Sequence, residues 1–523
     1  MSEGTVVKDS PKKLYSVRKL ALGSTLRVVH LVLLTAVGFA LTPFIVHSLG
    51  TEQYGLWTLA NAFVGFYGLL DLGLSGAVFT RMSHALGAKD HETGTRVYAT
   101  GLRLFGGLGG ILVFATVCLS VGVLMLHQNH SRMMAAVLLI IGIHTAISFM
   151  MRPAFGVLSA GGHFEMVSSV LIFSLILRAV GTVLVLRAGK GVLGLAIINL
   201  LSWTPGYIFI CLAVHWQYPF IRVRELTKWH RETAKGLLTF GVPVLIGQTA
   251  DRIRLQMDAV VVSLFLGLSA VAHYNVATTL VMYYMDGIVA IIGVLAPVMA
   301  MQTSAKDLDG MRRSLFMGTR LGLCSAGFAG FGLIAWGRVF ISRWMGPQFI
   351  DAYPVLVILT LAMFLDLVQS TTVNALYAGL HVKTYAKINV AEAIANLMLS
   401  LALAPRYGMI GIALGTLIPA GARLFIQPFV VREKLNLRVA EYFIACLKAS
   451  WKTALFLVLP TLITMRWLRP TYPSMFLVGG ISLIAFALPI WYFEFGGAGW
   501  HLAVSRLKPL MRLGRDPLNC REF

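Results

Sequence analysis

Val28-Val-His-Leu-Val-Leu-Leu-Thr-Ala-Val-Gly-Phe-Ala-Leu-Thr-Pro-Phe-Ile-Val-His-Ser48 holds no Asp, Glu, Lys or Arg. An α-helix needs about 20 predominantly apolar residues to cross the hydrocarbon of a bilayer, and this run is that long. A polar, basic stretch, residues 1–27, precedes it. The run is too long for the core of a cleaved signal peptide, so it is expected to be retained as a membrane span.

The same pattern recurs outward along the chain. Apolar runs bounded by charge or turn residues lie near 54–80, 98–126, 134–158, 165–187 and 191–215. A polar segment, 216–235, interrupts them. Runs follow near 236–265, 272–300, 314–338, 352–378, 386–404 and 408–430, and after a second basic segment at 446–467 and 473–495. Composition agrees: 57% of the 523 residues are hydrophobic and only 13% charged, with a mean hydropathy of +0.77. A soluble domain carries about 25% charged residues, so an ordinary soluble protein is excluded. The expectation is an all-α integral membrane protein with about 14 transmembrane helices.

The net charge is +22, from 44 Lys and Arg against 22 Asp and Glu. Basic residues prefer cytoplasmic loops, which gives an independent test of the span count. With the N-terminus inside, Lys8, Lys12, Lys13, Arg18, Lys19 and Arg27 share a side with Arg81, Lys89, Arg96 and Arg103 and with Arg222, Arg224, Lys228, Arg231 and Lys235. A missed helix would swap the side of every later loop and erase this contrast. Both chain ends are therefore expected in the cytoplasm, and the charge reflects topology and contact with anionic lipid headgroups rather than nucleic acid. Cys118, Cys211, Cys324, Cys446 and Cys520 share no metal-ligand or redox spacing.

Three matches recur at nearly one offset. Leu49-Gly50 pairs with Leu266-Gly267, Gly191-Val-Leu-Gly194 with Gly408-Met-Ile-Gly411, and Leu158-Ser-Ala160-Gly161-Gly-His163 with Leu376-Tyr-Ala378-Gly379-Leu-His381. The offset spans an even number of helices, which makes the repeat parallel. The expected organisation is a basic N-terminus (1–27), an N-lobe of six helices (28–215), a linker (216–235), a C-lobe of six (236–430), two extra helices (431–495) and a basic tail (496–523). Parallel repeats commonly enclose a central substrate site in transporters.

No catalytic constellation is visible: the expected outer loops are short, with no Asp-x-Asp pair, zinc signature or phosphate loop. Gly106-Gly107-Leu-Gly109-Gly110 lies inside the third run and reads as close helix packing. No cofactor, metal or enzymatic activity is expected. What remains is charge inside the membrane, which costs several kcal/mol per side chain unless it faces water or a partner. The seventh run carries Asp251-Arg252-Ile-Arg254-Leu-Gln-Met-Asp258. At roughly 100° per residue, Asp251, Arg254 and Asp258 share a face and Arg252 points elsewhere. This is either a self-neutralised salt-bridge stripe or a cationic patch able to hold a phosphate through an arginine fork, with Arg254 the first candidate and Arg252 the second. Arg178 is a further cavity cation or a snorkelling side chain, and Arg423 is expected to snorkel. Asp286, Asp366 and Glu392 are expected to pair these charges or to carry a coupling ion. His144 either titrates or packs, and Tyr274, Tyr283 and Tyr284 either stack on sugars or, as the plainer reading, form an interfacial belt or ordinary packing.

Leu49-Gly50-Thr-Glu-Gln-Tyr54-Gly55-Leu-Trp57, with Leu70-Asp71-Leu72-Gly73-Leu74 and Arg81, resembles the first hairpin of bacterial polysaccharide flippases. These are the O-antigen and exopolysaccharide translocases of the multidrug/oligosaccharidyl-lipid/polysaccharide exporter superfamily. The seventh run ending in Asp258, with Leu266-Gly267 and Tyr274, resembles the equivalent hairpin of the second lobe. Pro153-Ala-Phe-Gly156-Val-Leu158 through Phe164 is similar to the family's loop after the fourth helix. The resemblance implies two lobes around a cationic cavity that moves an undecaprenyl-pyrophosphate-linked oligosaccharide across the bacterial inner membrane. A polysaccharide polymerase and a chain-length regulator are implied partners. Tyr54, Gly55, Asp71 and Gly73 are then motif residues with structural roles. The drug-extruding cousins use an acid in the first helix, and 28–48 holds none. Alternatives are a flippase for another pyrophosphate lipid such as the peptidoglycan precursor, a small-molecule antiporter, or, in another class, an O-antigen polymerase or ligase.

Overall fold

The computed structural model describes residues 17–71, 73–126, 130–221, 230–293, 295–305, 307–378, 382–435 and 438–444, with 477 and 480–481; within its helices the side chains of 17–21, 24, 28, 239–255, 296–297, 300, 304, 377–378, 382–384, 431 and 433–435 lie outside the description. The described residues are helical and contain no strand. The helices are α1 (Val17–Gly65), α2 (Leu74–Gly87), α3 (His91–Met125), α4 (Ser131–Ala160), α5 (Phe164–Arg187), α6 (Gly191–Gln217), α7 (Arg231–Ile292), α8 (Leu295–Ser304), α9 (Leu308–Trp344), α10 (Ala352–Ala378) and α11 (Val382–Leu435). Among the described residues nine helical segments are long and apolar enough to cross a membrane. The expected run at 446–467, and that at 473–495 apart from 477 and 480–481, lie outside the described residues.

Glycines divide three of the long helices. Gly50 (φ 76, ψ 170) interrupts α1, and Gly267 (φ 83, ψ 178) interrupts α7 with the same backbone. That region is essentially closed to residues with a Cβ. Gly408 (φ 57) interrupts α11, and its repeat partner Gly191 (φ 58) opens α6. Gly50 and Gly267 thus recur with the same φ and ψ, and Gly191 and Gly408 with the same φ.

One run departs from its expected continuity. Residues 54–80 form the second half of α1, a 3-10 helix at Phe66–Asp71, a left-handed Gly73 (φ 67) and then α2. Irregular backbone at membrane depth is tolerated where it lines a cavity or is buried in protein. Asp90 accepts from the Thr93 N–H at 2.9 Å and so caps α3. The Thr93 hydroxyl and N–H together hold its carboxyl below the usual carboxylate range.

The chain divides into two compact units. The first draws on Met1–Thr279, Trp344–Val355 and His381–Pro419, the second on Leu280–Arg343, Leu356–Leu380 and Ala420–Phe523. In the first, α2, α3, α4 and α6 bury an apolar cluster that includes Val78, Met82, Phe105, Leu112, Phe149 and Ile210. Small residues let the helices approach: a Cβ on Gly109 would stand 3.2 Å from the Ala146 carbonyl oxygen, and one on Gly142 would stand 2.3 Å from the Thr116 hydroxyl. This is the packing that membrane helices favour, and it places the 106–110 glycines on a helix as expected. Gly55 is tighter still, its added Cβ falling 1.8 Å from the Leu268 carbonyl oxygen. Large apolar side chains point outward, Phe114 at 71% and Leu184 at 62% exposure, which suits lipid and not water.

In the second unit the Tyr284 hydroxyl donates to the Ala326 carbonyl at 3.0 Å. Gly318 is held against Thr371 and Leu295.

Candidate functional site

A cavity of about 990 Å³ opens among α1, α2, α4, α5 and α6 of the first unit. Its longest wall is one face of α4. Ile141, His144, Thr145, Ser148, Phe149, Arg152, Phe155, Gly156 and Ser159 line it, and they recur at the three- and four-residue steps of a single helical stripe. Arg178 and Leu171, two turns apart, come from α5. Asn199, Trp203 and Tyr207, at successive i+4 positions, come from α6. Trp57, Asn61 and Gly65 of α1, Gly68 of the 3-10 helix, and Ser75 and Phe79 of α2 close the far side.

The polar groups have defined partners. The Arg152 guanidinium lies 2.9 Å from an Asp71 carboxylate oxygen and 3.8 Å above the Phe149 ring centroid. The same Asp71 oxygen accepts from the Ser75 hydroxyl at 2.7 Å. The break in the helix at 66–73 is therefore tied to α4 through an ion pair. Trp203 and Tyr207 stack with centroids 5.7 Å apart and planes 23° apart. Tyr207 Oη and His144 Nε2 are 3.4 Å apart. Two arginines line the cavity and, among the described residues, no carboxylate does. The arrangement can bind an anion with aromatic and amide surface beside it.

The expected site residues separate. Arg178 lines the cavity. Arg254, Arg252 and Asp251 lie on α7, but their side chains fall outside the described residues. Asp258 is buried in the first unit and accepts from the Tyr274 hydroxyl at 2.6 Å. Thr416 Oγ1 is 3.4 Å from the same carboxylate oxygen and accepts from Asn396 Nδ2 at 2.8 Å. Glu392 is also buried in this unit. In the second unit Asp366 pairs with Arg423 at 3.4 Å, and Arg423 Nε donates to Gln427. Arg423 is 5% exposed, so it is a buried paired charge and does not snorkel. Asp286 is exposed on α7. Tyr54 accepts from Asn275 Nδ2 at 2.8 Å, a structural contact of the motif, and Gly73 supplies the left-handed turn before α2. Tyr274 and Tyr284 are hydrogen-bonded within packed helices.

Sequence reasoning did not single out Arg152, Trp203 or Tyr207, and it quoted Trp57 only as part of the hairpin motif. The signal was present for α4, where His144, Ser148 and Arg152 stand at i, i+4 and i+8. Arg152 was hidden by Pro153, which made the segment read as the end of a span.

Comparison with known proteins gives a consistent set of relatives. The profile of a family described as polysaccharide biosynthesis protein matches residues 25–302. No curated protein matches the chain. Among solved structures, the lipid II flippase MurJ in an inward closed conformation is similar at 15% identity, with a TM-score of 0.68 over 91% of this chain and 99% of that one. An inward-facing multidrug resistance MATE family transporter of the MOP superfamily is similar at 17% identity, with a TM-score of 0.63 over 77% of this chain and 99% of that one. A MOP superfamily transporter from Pyrococcus furiosus, described as having a binding pocket of reversed polarity, gives 15% identity and 0.56 over 80% and 94%. These likenesses establish the fold.

Proposed function

The chain belongs to the polysaccharide biosynthesis protein family, and on that premise we propose that it is a flippase for an undecaprenyl-pyrophosphate-linked oligosaccharide. It makes and breaks no covalent bond. The observation that carries this reading is the cavity with two arginines, an aromatic wall and, among the described residues, no lining carboxylate.

Each part has a physical reason. A diphosphate headgroup is costly to place at membrane depth, and Arg178 and Arg152 offset that cost through charge-assisted hydrogen bonds. Sugar rings present apolar faces that suit the Trp203–Tyr207 stack, and the Asn61 and Asn199 amides suit their hydroxyls. The volume is at the upper end of the usual range for small-molecule sites, as a sugar-diphosphate head requires. We further assign Arg254 and Arg252 of α7 to substrate binding, on the sequence reading alone, and Asp258 and Glu392 to charge pairing or ion coupling. The proposed topology is two six-helix lobes, 28–215 and 236–430, plus two C-terminal helices in the inner membrane, with both termini cytoplasmic and access alternating between the two sides. The flipped lipid then passes to a polymerase and its chain-length regulator.

Deletion of the gene and identification of the lipid-linked intermediate on the inner leaflet tests this. Accumulation of a completed undecaprenyl-diphosphate repeat unit is expected. Normal surface polysaccharide with no accumulation would contradict it. The likeness to a lipid II flippase over 91% of the chain favours a second reading, transport of the peptidoglycan precursor. Accumulation of that precursor instead would select it.

A further inference from the structure

Arg152 faces the cavity with a carboxylate already bound. Its guanidinium meets Asp71 at 2.9 Å, with side-chain exposures of 33% for Arg152 and 15% for Asp71. Asp71 is not itself a lining residue. It ends the 3-10 helix, two residues before the left-handed Gly73, and also receives the Ser75 hydroxyl. The Phe149 ring packs against the guanidinium, its centroid 3.8 Å from Cζ. A planar guanidinium presents its N–H groups in a rigid fork that suits a carboxylate or a phosphoryl group equally well. A second anion entering the cavity must therefore share the fork with Asp71 or displace it.

We propose that Asp71 is an intramolecular competitor for the diphosphate headgroup at Arg152, a positioning residue that weakens binding so that the headgroup can be released. The inference rests on the flippase reading above. In the empty cavity Asp71 satisfies a half-buried cation that would otherwise stand uncompensated. When a diphosphate takes the fork, Asp71 is freed from α4, and the 3-10 segment 66–71 loses its tie to that helix. When the headgroup leaves, Asp71 returns. Transport needs binding strong enough for entry and weak enough for exit, and a resident carboxylate sets that balance.

The test uses the purified full chain in detergent micelles, with farnesyl diphosphate as probe and titration calorimetry as readout. Asp71→Asn keeps an acceptor for Ser75 and removes the competing charge. It is expected to bind the probe about fivefold more tightly than wild type, whereas Arg152→Ala binds more weakly. In the Arg152→Ala background, Asp71→Asn is expected to add nothing. Unchanged or weakened binding by Asp71→Asn, with wild-type helicity and unfolding temperature, overturns the proposal, as does equal tightening in the Arg152→Ala background. Asp71→Ser is read in the same way should Asp71→Asn fail to fold, and loss of folding in both counts against the proposal. A wild-type chain that does not bind the probe defeats the flippase reading instead, which separates the two failures.

Discussion

Gly50 and Gly267, 217 residues apart in sequence, hold the same backbone conformation, φ 76 with ψ 170 and φ 83 with ψ 178. Each sits where a long helix is interrupted, and a Cβ added at either would meet no atom within 4 Å. Any penalty for substitution is therefore backbone strain and not collision. Gly50→Ala and Gly267→Ala are each expected to destabilise the protein by about 1–3 kcal/mol, with similar size because the conformations match. Thermal unfolding of the purified variants measures this.

Tyr274 and Asp258 form a buried hydrogen bond of 2.6 Å. Tyr274→Phe removes the donor and leaves the carboxylate oxygen short of a partner. The expected cost is about 1–3 kcal/mol. Denaturant or thermal unfolding should show it, and Tyr274→Phe should pack without a cavity, so a null result would mean that the Thr416 hydroxyl takes over the bond.

Arg423 and Asp366 are a buried pair, and breaking one side differs from removing both. Arg423→Ala removes the cation paired with Asp366 and is expected to cost about 3 kcal/mol. The Arg423→Leu/Asp366→Leu double variant should recover most of that loss. A double variant as unstable as the single one would show that the pair is not an isolated unit.

Trp203 and Tyr207 supply the proposed saccharide surface. Trp203→Ala should weaken binding of a glycosylated diphosphate lipid by about tenfold, while binding of farnesyl diphosphate stays near wild type. Equal loss for both ligands would place Trp203 in general packing of the cavity and not in sugar recognition. Arg254→Ala, by contrast, is expected to impair translocation for every diphosphate lipid while the protein accumulates normally.

Much of the fold was legible because the bilayer imposes length and charge rules on each helix. The runs at 134–158, 165–187 and 191–215 correspond to α4, α5 and α6 to within three residues at each end, and the run at 98–126 to α3, which begins two turns earlier at His91. The matched glycines were legible as a repeat, though not as interruptions, since a helix and a kinked helix have the same composition. The break at 66–73 was not legible: Leu70, Leu72 and Leu74 continue the apolar pattern straight through it. The cavity wall on α4 was hidden for a related reason. Thr145 satisfies its hydroxyl on the Ile141 carbonyl, so a small polar residue there signals neither lipid nor water. Arg178 stood out because a charge in mid-span needs an explanation, and Arg152 did not because Pro153 follows it.

The most direct measurement is translocation in reconstituted vesicles. A short-chain polyprenyl-diphosphate oligosaccharide carrying a fluorophore is quenched by reductant added outside, once the protein has equilibrated the leaflets. Flippase function predicts that wild type exposes the whole probe pool, whereas Arg152→Ala/Arg178→Ala exposes only the outer half with the protein inserted at wild-type levels. Equal exposure of the whole pool by wild type and by the double variant would remove the arginine-lined cavity from transport, and no exchange by wild type would contradict flippase activity itself.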